Sequence, residues 1–285
     1  MSRKLWGVAA AAVVSAALAG AAVSQSARDQ SLLLAQATGA GGHQSEPIRE
    51  FERVGKKSGY LFATPETRKM QDDDFGNPSF LWVEHGEQMW TKVEGEAGKS
   101  CASCHGAAAT LRGVGATYPK INKETGKLLA LEHQINYCRT ERMKAPALRW
   151  ETRDMLGISS FVMHQSRGLP VNVSIEGPAK AFFDKGEQLY NTRRGQLNAA
   201  CVHCHEQNSG NYIRADLLSE GRATGFPLYR LKWQRVGSFQ YRMEECYSQV
   251  RAEPEPYGSD ELTAIQLFVT WRSNGLLVET PAVRR

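Results

Sequence analysis

Residues 101–105 read Cys101-Ala102-Ser103-Cys104-His105, and residues 201–205 read Cys201-Val202-His203-Cys204-His205. Both have the spacing C-x-x-C-H. Two thiols on one turn can each add to a vinyl group of a single haem, and the histidine that follows is then placed to ligate the iron from the proximal side. A dithiol redox motif does not need that histidine. A zinc site built from both cysteine pairs would not need the export signal described below. Two copies, each closed by histidine, point to two covalently bound haem c groups. Cys101, Cys104, Cys201 and Cys204 are the expected attachment residues, and His105 and His205 the expected iron ligands.

The motifs are 100 residues apart, and the similarity extends around them. Upstream, His85-Gly86-Glu87-Gln88-Met89-Trp90 matches Lys185-Gly186-Glu187-Gln188-Leu189-Tyr190. Downstream, Phe161-Val162 and Ser166-Arg167-Gly168-Leu169 match Phe268-Val269 and Ser273-Asn274-Gly275-Leu276, at an offset seven residues longer. Self-similarity at a long period means a duplicated unit.

Each unit reads as helix, haem motif, loop, helix. Phe80 to Val93 and Lys180 to Tyr190 are the expected entry helices. Arg153 to Gln165 carries Met155, Leu156, Ile158, Phe161 and Val162 at helical spacing, with Gly168 as a stop. Ser259 is the expected N-cap of the equivalent helix, with Leu262, Ile265, Leu267, Phe268 and Val269 behind it and Gly275 beyond. Strand-like alternation is scarce. The fold class is therefore mainly α, with two tandem cytochrome c-like domains related by internal duplication. The expected domains are 51–172 and 173–285, joined by the Pro-bearing stretch Gly168 to Pro178.

The N-terminus differs from the rest. Arg3 and Lys4 precede an uncharged run from Leu5 to Val23, closed by Ala22-Val23-Ser24. This is the order of a secretory signal peptide, expected over 1–24, and it implies a periplasmic protein. An uncleaved anchor is the alternative. Residues 25–50 are rich in Ala, Gln, Gly and Ser and are expected to be mobile. The whole chain has 285 residues, 41% hydrophobic and 23% charged, which excludes a fibre, a low-complexity tail and a multi-span membrane protein. Its net charge of +5 falls to +3 without Arg3 and Lys4, far from a nucleic-acid binder.

Four cysteines serve haem, leaving Cys138 and Cys246. They hold equivalent places, after the motif and before the last helix, 108 residues apart. Three readings compete: distal ligation of each iron by a thiolate, a Cys138–Cys246 disulfide allowed by the compartment, and ordinary buried cysteines. Duplication favours the first. Methionine is the common distal ligand of cytochromes c, but Met143, Met155, Met163 and Met243 form no repeated pair. Thiolate ligation would lower the iron's potential.

The surroundings of the two cysteines differ. Four residues earlier stands Gln134 in one unit and Arg242 in the other. Positions i and i+4 share a helix face, so Arg242 can point with Cys246 into one pocket and grip an oxyanion. Arg230, Lys232, Arg235 and Arg251 lie nearby in sequence, and a solvated basic face is an equal reading for the first three. The asymmetry makes the second haem the expected chemical site. His43, His85, His133, His164 and His203 read as surface or satisfied histidines. Trp90, Tyr190, Trp150, Trp233 and Trp271 read as packing groups.

With these residues in view, the chain resembles the SoxA family, the subunits of SoxAX cytochromes of bacterial sulfur oxidation. The marks are both C-x-x-C-H motifs, Asn136-Tyr137-Cys138-Arg139, Arg242-x-x-x-Cys246-Tyr247 and the segment from Gly59-Tyr60 to Asn77-Pro78. The resemblance runs from about Phe51 to Leu277 and is to the dihaem type. It implies that His105 and Cys138 ligate the first iron, and His205 and Cys246 the second. It further implies that Cys246 is catalytic and can carry a persulfide, and that Arg242 lines its pocket. The implied reaction couples thiosulfate oxidatively to a cysteine of the carrier SoxYZ, as an L-cysteine S-thiosulfotransferase. The implied partner is the small cytochrome SoxX, in a heterodimer, and two electrons pass to a cytochrome c acceptor. Either thiosulfate first forms an adduct on Cys246, or Cys246 and iron only accept electrons. The rival functions are a dihaem thiosulfate dehydrogenase forming tetrathionate, a plain electron-transfer cytochrome, and a dihaem peroxidase. The last needs one open iron and so conflicts with two distal cysteines.

Overall fold

Two helix pairs with a glycine at each crossing organise the fold. They belong to a computed structural model that describes residues 51–285. The expected leader, the segment 25–50 and His43 lie outside the described residues. The first half contains α1 (Pro65–Asp72), α2 (Phe80–Thr91), α3 (Cys101–His105), α4 (Leu131–Tyr137) and α5 (Arg153–His164). The second contains α6 (Ala179–Asn191), α7 (Cys201–His205), α8 (Phe239–Gln249) and α9 (Asp260–Arg272). The four long helices expected from periodicity are all present, within two residues at each end. Their caps explain the starts. Thr152 Oγ1 accepts the Met155 N–H at the head of α5, and Ser259 Oγ accepts the Leu262 N–H at the head of α9, at 3.2 Å.

Helix α2 packs against α5, and α6 against α9. A Cβ on Gly86 would stand 2.1 Å from the carbonyl oxygen of Gly157. A Cβ on Gly186 would stand 2.1 Å from that of Ala264. The repeated glycine is therefore what lets the two backbones touch. Around the first crossing Val83, Trp90, Ile158, Phe161 and Val162 form one core. Around the second, Phe183, Tyr190, Leu262, Ile265 and Phe268 form another, joined by Phe239 and Met243 of α8.

Strands are short. They comprise β1 (Glu52–Arg53), β2 (Lys56–Lys57), β3 (Lys120–Ile121), β4 (Leu128–Leu129), β5 (Tyr212–Ile213), β6 (Asp216–Leu217), β7 (Leu228–Arg230), β8 (Arg235–Gly237) and β9 (Ala282–Arg284). The first six form three antiparallel hairpins. In the three-stranded sheet found among the described residues, β7 is antiparallel to β8 and parallel to β9. Its Tyr229, Val236 and Val283 cover Leu156 of α5. Runs of two or three residues are too short for alternation to show in a sequence. The stretch 168–178, expected as a linker, is fastened in place. Val171 N–H donates to Leu276 O and Val278 N–H to Leu169 O, both at 2.8 Å, and Val171 and Val173 are buried.

The duplication is offset by one residue beside the remaining cysteines, and the backbone shows why. Cys138 opens a π-helical turn, Cys138–Met143, whereas Cys246 lies inside the regular helix α8. Both segments end at a left-handed residue, Lys144 (φ 52°) and Arg251 (φ 56°). Those two are 107 residues apart, while the cysteines are 108 apart. A π-turn holds one residue more than an α-turn and absorbs the difference.

Candidate functional site

Helix α3 carries the first motif. Ser100 caps it, its side chain accepting from the Ser103 N–H while Ser103 Oγ accepts from the Ser100 N–H. In α7 the imidazole of His203 does the same, accepting the Ala200 N–H at 2.8 Å. His203 is therefore a cap. Cys101 is half-buried, and Cys104 and His105 are exposed. Trp90 of α2 lies with its ring 5.8 Å from that of His105 and donates to Gly106 O at 3.0 Å. Burial raises the Cys101 thiol pKa; Arg139 works against this and the Cys138 sulfur adds to it, so Cys138 stands beside the first motif. Gln134, one turn before, donates from Nε2 to Cys138 Sγ at 3.4 Å.

The second centre is more enclosed. Cys201, Cys204, His205 and Cys246 are all half-buried. Burial, and then the neighbouring Cys246 sulfur, pushes the Cys201 thiol up to about 12, and the same two causes raise Cys204. His205 Nδ1 faces Ser219 O at 2.9 Å, and Gly221 packs against its ring so closely that a Cβ there would lie 2.7 Å from Cγ. That hydrogen bond orients the ring and leaves Nε2 free. Burial lowers the imidazole pKa to about 4; the Ser219 bond opposes this, and Arg242 and Arg272 add to the lowering. His205 is thus neutral, the form that ligates a metal.

Arg242 and Cys246 share one face of α8, as the i, i+4 spacing predicts. Burial would weaken the hold of the Arg242 proton, but the Cys246 sulfur, Glu245 and Asp216 outweigh it and raise the guanidinium pKa. Glu245 is the residue that the sequence reading missed. Its carboxylate accepts from Arg242 Nη1 at 2.8 Å, from Lys232 Nζ at 2.5 Å and from Arg230 Nη1. Burial would raise that carboxyl's pKa; the three cations overcome it and hold it below the usual range. Glu245 and the nearby Asp216 against three cations leave a net positive charge around Cys246. The signal was present as an i, i+3 Arg–Glu pair beside Cys246.

The other expected residues fall elsewhere. Arg230 is buried and paired, so it is no solvated face. Arg235 leaves the pocket and pairs with Glu151 at 3.2 Å, bracing the two halves. Arg251 reaches only Gln196, at 3.4 Å. His85 pairs with Asp154, and His133 and His164 bond the carbonyls of Gly258 and Thr280. Met143, Met155 and Met243 are buried, and Met163 packs at the core's edge. Cys138 and Cys246 form no disulfide; all six cysteines are unpaired. Among the described residues no three His, Cys, Asp or Glu converge as a bare metal centre requires.

The residue after Cys138 and the residue after Cys246 each tie down the loop before the motif of their own half. Arg139 Nη1 donates to Glu94 Oε2 at 2.6 Å, and Arg194 Nη1 donates to the Tyr247 hydroxyl at 2.5 Å. The tie is duplicated with its chemistry exchanged.

This duplicated arrangement has known counterparts. The family profile described as SoxA/TsdA, cytochrome c domain, matches residues 85–171 and again 185–278. The L-cysteine S-thiosulfotransferase subunit SoxA of Pseudaminobacter salicylatoxidans is 46% identical over 230 residues, 80% of each chain. The subunit of the same name from Rhodovulum sulfidophilum is 41% identical over 97% of each. The chain belongs to the SoxA family. The crystal structure of SoxXA from P. pantotrophus superimposes with a TM-score of 0.78 at 42% identity, covering 81% of this chain and 87% of that one. The tandem cytochrome c-like architecture expected from the repeat is thus established.

Haem c is the cofactor of cytochrome c domains, and the donor sets fit it. Each centre offers two adjacent thiols for thioether links and one histidine, with a single cysteine sulfur on a neighbouring segment. Two axial donors suffice where a macrocycle supplies the other four.

Proposed function

We propose that this chain is the catalytic dihaem subunit of an L-cysteine S-thiosulfotransferase working in the periplasm, where its leader would send it. It pairs with a small SoxX-type cytochrome c and acts on thiosulfate and on the cysteine of a SoxYZ-type carrier. The observation that carries this reading is a sulfur, Cys246, beside a charged guanidinium, Arg242, on the face of α8 that meets Cys201 and Cys204. A sulfur donor next to an anion grip suits an anionic sulfur substrate.

Haem c would be held through Cys101 and Cys104 with His105 and Cys138, and through Cys201 and Cys204 with His205 and Cys246; its iron supplies one-electron acceptance and passage to a cytochrome acceptor. Arg242, aimed by Glu245, binds the thiosulfate oxygens and turns the outer sulfur toward Cys246. Formation of the S–S bond between the Cys246 thiolate and that sulfur releases two electrons. The carrier thiolate then attacks the outer sulfur of the thiosulfate, Cys246 leaves as thiolate, and the carrier departs as cysteine S-thiosulfonate. The net positive charge around Cys246 lowers the cost of bringing a dianion to this sulfur.

The haem-loaded protein with its small cytochrome is the system to test, supplied with thiosulfate and an oxidised cytochrome. We expect a mass gain of one thiosulfonate on a carrier bearing a free cysteine. Tetrathionate formed equally well without the carrier would instead make the enzyme a thiosulfate dehydrogenase. Neither product would leave an electron-transfer cytochrome.

Arg242→Gln removes the charge and shortens the side chain while leaving it polar. It should lower kcat/KM for thiosulfate by roughly 10- to 100-fold, the worth of one hydrogen bond to a charged group at about 1.5–3 kcal/mol. Steady-state kinetics over a thiosulfate series would show it. An unchanged value would remove Arg242 from the binding site.

A further inference from the structure

The two halves place different residues one helical turn before the distal cysteine, and the structure fixes what the first of them does. Asn122 lies in the turn between β3 and β4. Its Oδ1 accepts the N–H groups of Glu124 at 2.9 Å and Thr125 at 3.0 Å. Oxygen must therefore sit on that side, and the amide nitrogen on the other. Nδ2 donates to Gln134 Oε1 at 3.0 Å. The Gln134 amide is fixed in turn, and its Nε2 faces Cys138 Sγ at 3.4 Å. Two amides oriented in series leave no choice of flip. Gln134 presents a donor, never an acceptor, to that sulfur.

We propose that Gln134 sets the potential of the first haem: its amide donates a hydrogen bond to the Cys138 sulfur and so raises the reduction potential of the iron ligated there. This rests on the His105/Cys138 ligation proposed above. A thiolate donates electron density to iron and favours the ferric state. A hydrogen bond to the sulfur withdraws part of that density, so one-electron reduction to the ferrous state becomes easier. In the second half the same position holds Arg242, whose guanidinium is engaged by Glu245. The duplicated position thus serves electron acceptance in one half and anion binding in the other. The first haem becomes a better acceptor than bare histidine–thiolate ligation would make it.

The test is a redox titration of the haem-loaded protein in complex with its small cytochrome, followed by the low-spin electron paramagnetic resonance signals of each haem. Cys138→Ala first identifies the signal of the first haem; if no signal changes, the ligation reading fails and the inference with it. Given that assignment, Gln134→Leu should lower the first midpoint. A shift of about 59 mV corresponds to a tenfold change in the ferric-to-ferrous ratio. The second midpoint should stay in place. Asn122→Asp leaves Gln134 itself intact and its other oxygen still accepts both backbone N–H groups. Its carboxylate repels Gln134 Oε1 and turns that amide over, so it should shift the same midpoint in the same direction. A first midpoint unchanged in both variants, with Cys138 ligation intact, overturns the proposal. A purely structural role for Gln134 predicts altered haem content and no selective shift.

Discussion

Cys246→Ala should lose transfer activity by roughly 10³-fold or more, the scale on which removal of a covalent participant is felt, while the protein still carries both haems. The two halves of that statement have separate causes. The proposed attachment residues, Cys101, Cys104, Cys201 and Cys204, lie on α3 and α7, and none is touched. Alanine is the strongest helix former, and Cys246 lies on the half-exposed face of α8, so the helix itself persists. The sulfur, however, is the one thiol that α8 carries, and it neighbours Cys201 and Cys204 of the second motif. Under the proposed mechanism, Arg242 would still bind the anion without it, and the outer sulfur of thiosulfate would have no acceptor. Carrier mass gain measures the activity, and haem absorbance after denaturation measures attachment. Full activity with both haems present would take Cys246 out of the mechanism. Loss of activity accompanied by loss of one haem would instead mean that Cys246 is needed for assembly.

Most of this architecture is written in patterns of fixed period. The two C-x-x-C-H motifs declare their chemistry at five residues each, and the long helices α2, α5, α6 and α9 repeat their apolar residues often enough to be read. Arg242 and Cys246 could be paired in advance because helix geometry ties i to i+4. What escaped was set by contacts distant in sequence or by elements too short for a period. Helix α1 is held by Gln71, whose Oε1 accepts the Val283 N–H at 3.1 Å from β9, 212 residues away. The sheet β8-β7-β9 is built from runs of three residues. Arg235 read equally as a residue near Cys246 or as part of a solvated basic face, and it binds Glu151, a partner 84 residues upstream. Glu245 stood in plain sight beside Cys246, but its value lies in Arg230 and Lys232, brought to it by the hairpin of β7 and β8. The 108-residue spacing of the cysteines was visible, and only the backbone could show that a π-turn accounts for it.

Gly186→Ala should cost about 3 kcal/mol, the upper part of the usual range for overpacking a filled core. For a chain of this size that is a fall of roughly 6–12 °C in Tm. The added Cβ would lie 2.1 Å from the carbonyl oxygen of Ala264 and 3.0 Å from Cβ of Phe268. Both obstacles belong to the body of α9, which has no flexible end to move aside. Relief requires α6 and α9 to separate, and this opens the core formed by Phe183, Tyr190, Ile265 and Phe268. Alanine's better helix propensity returns only about 1 kcal/mol, too little to reverse the sign. Gly98→Ala is the control. Its φ of +58° belongs to the left-handed region, unlike that of helical Gly186, but no atom stands within 4 Å of the new Cβ. That substitution should cost about 1–2 kcal/mol from backbone strain alone. Thermal denaturation of the haem-loaded protein compares the two. A larger loss at Gly98 than at Gly186 would mean that the helices are not in backbone contact, and the glycine shared by His85-Gly86-Glu87 and Lys185-Gly186-Glu187 would need another cause. A larger loss at Gly186 ties the duplicated glycine to the crossing that brings each haem motif under its helix pair.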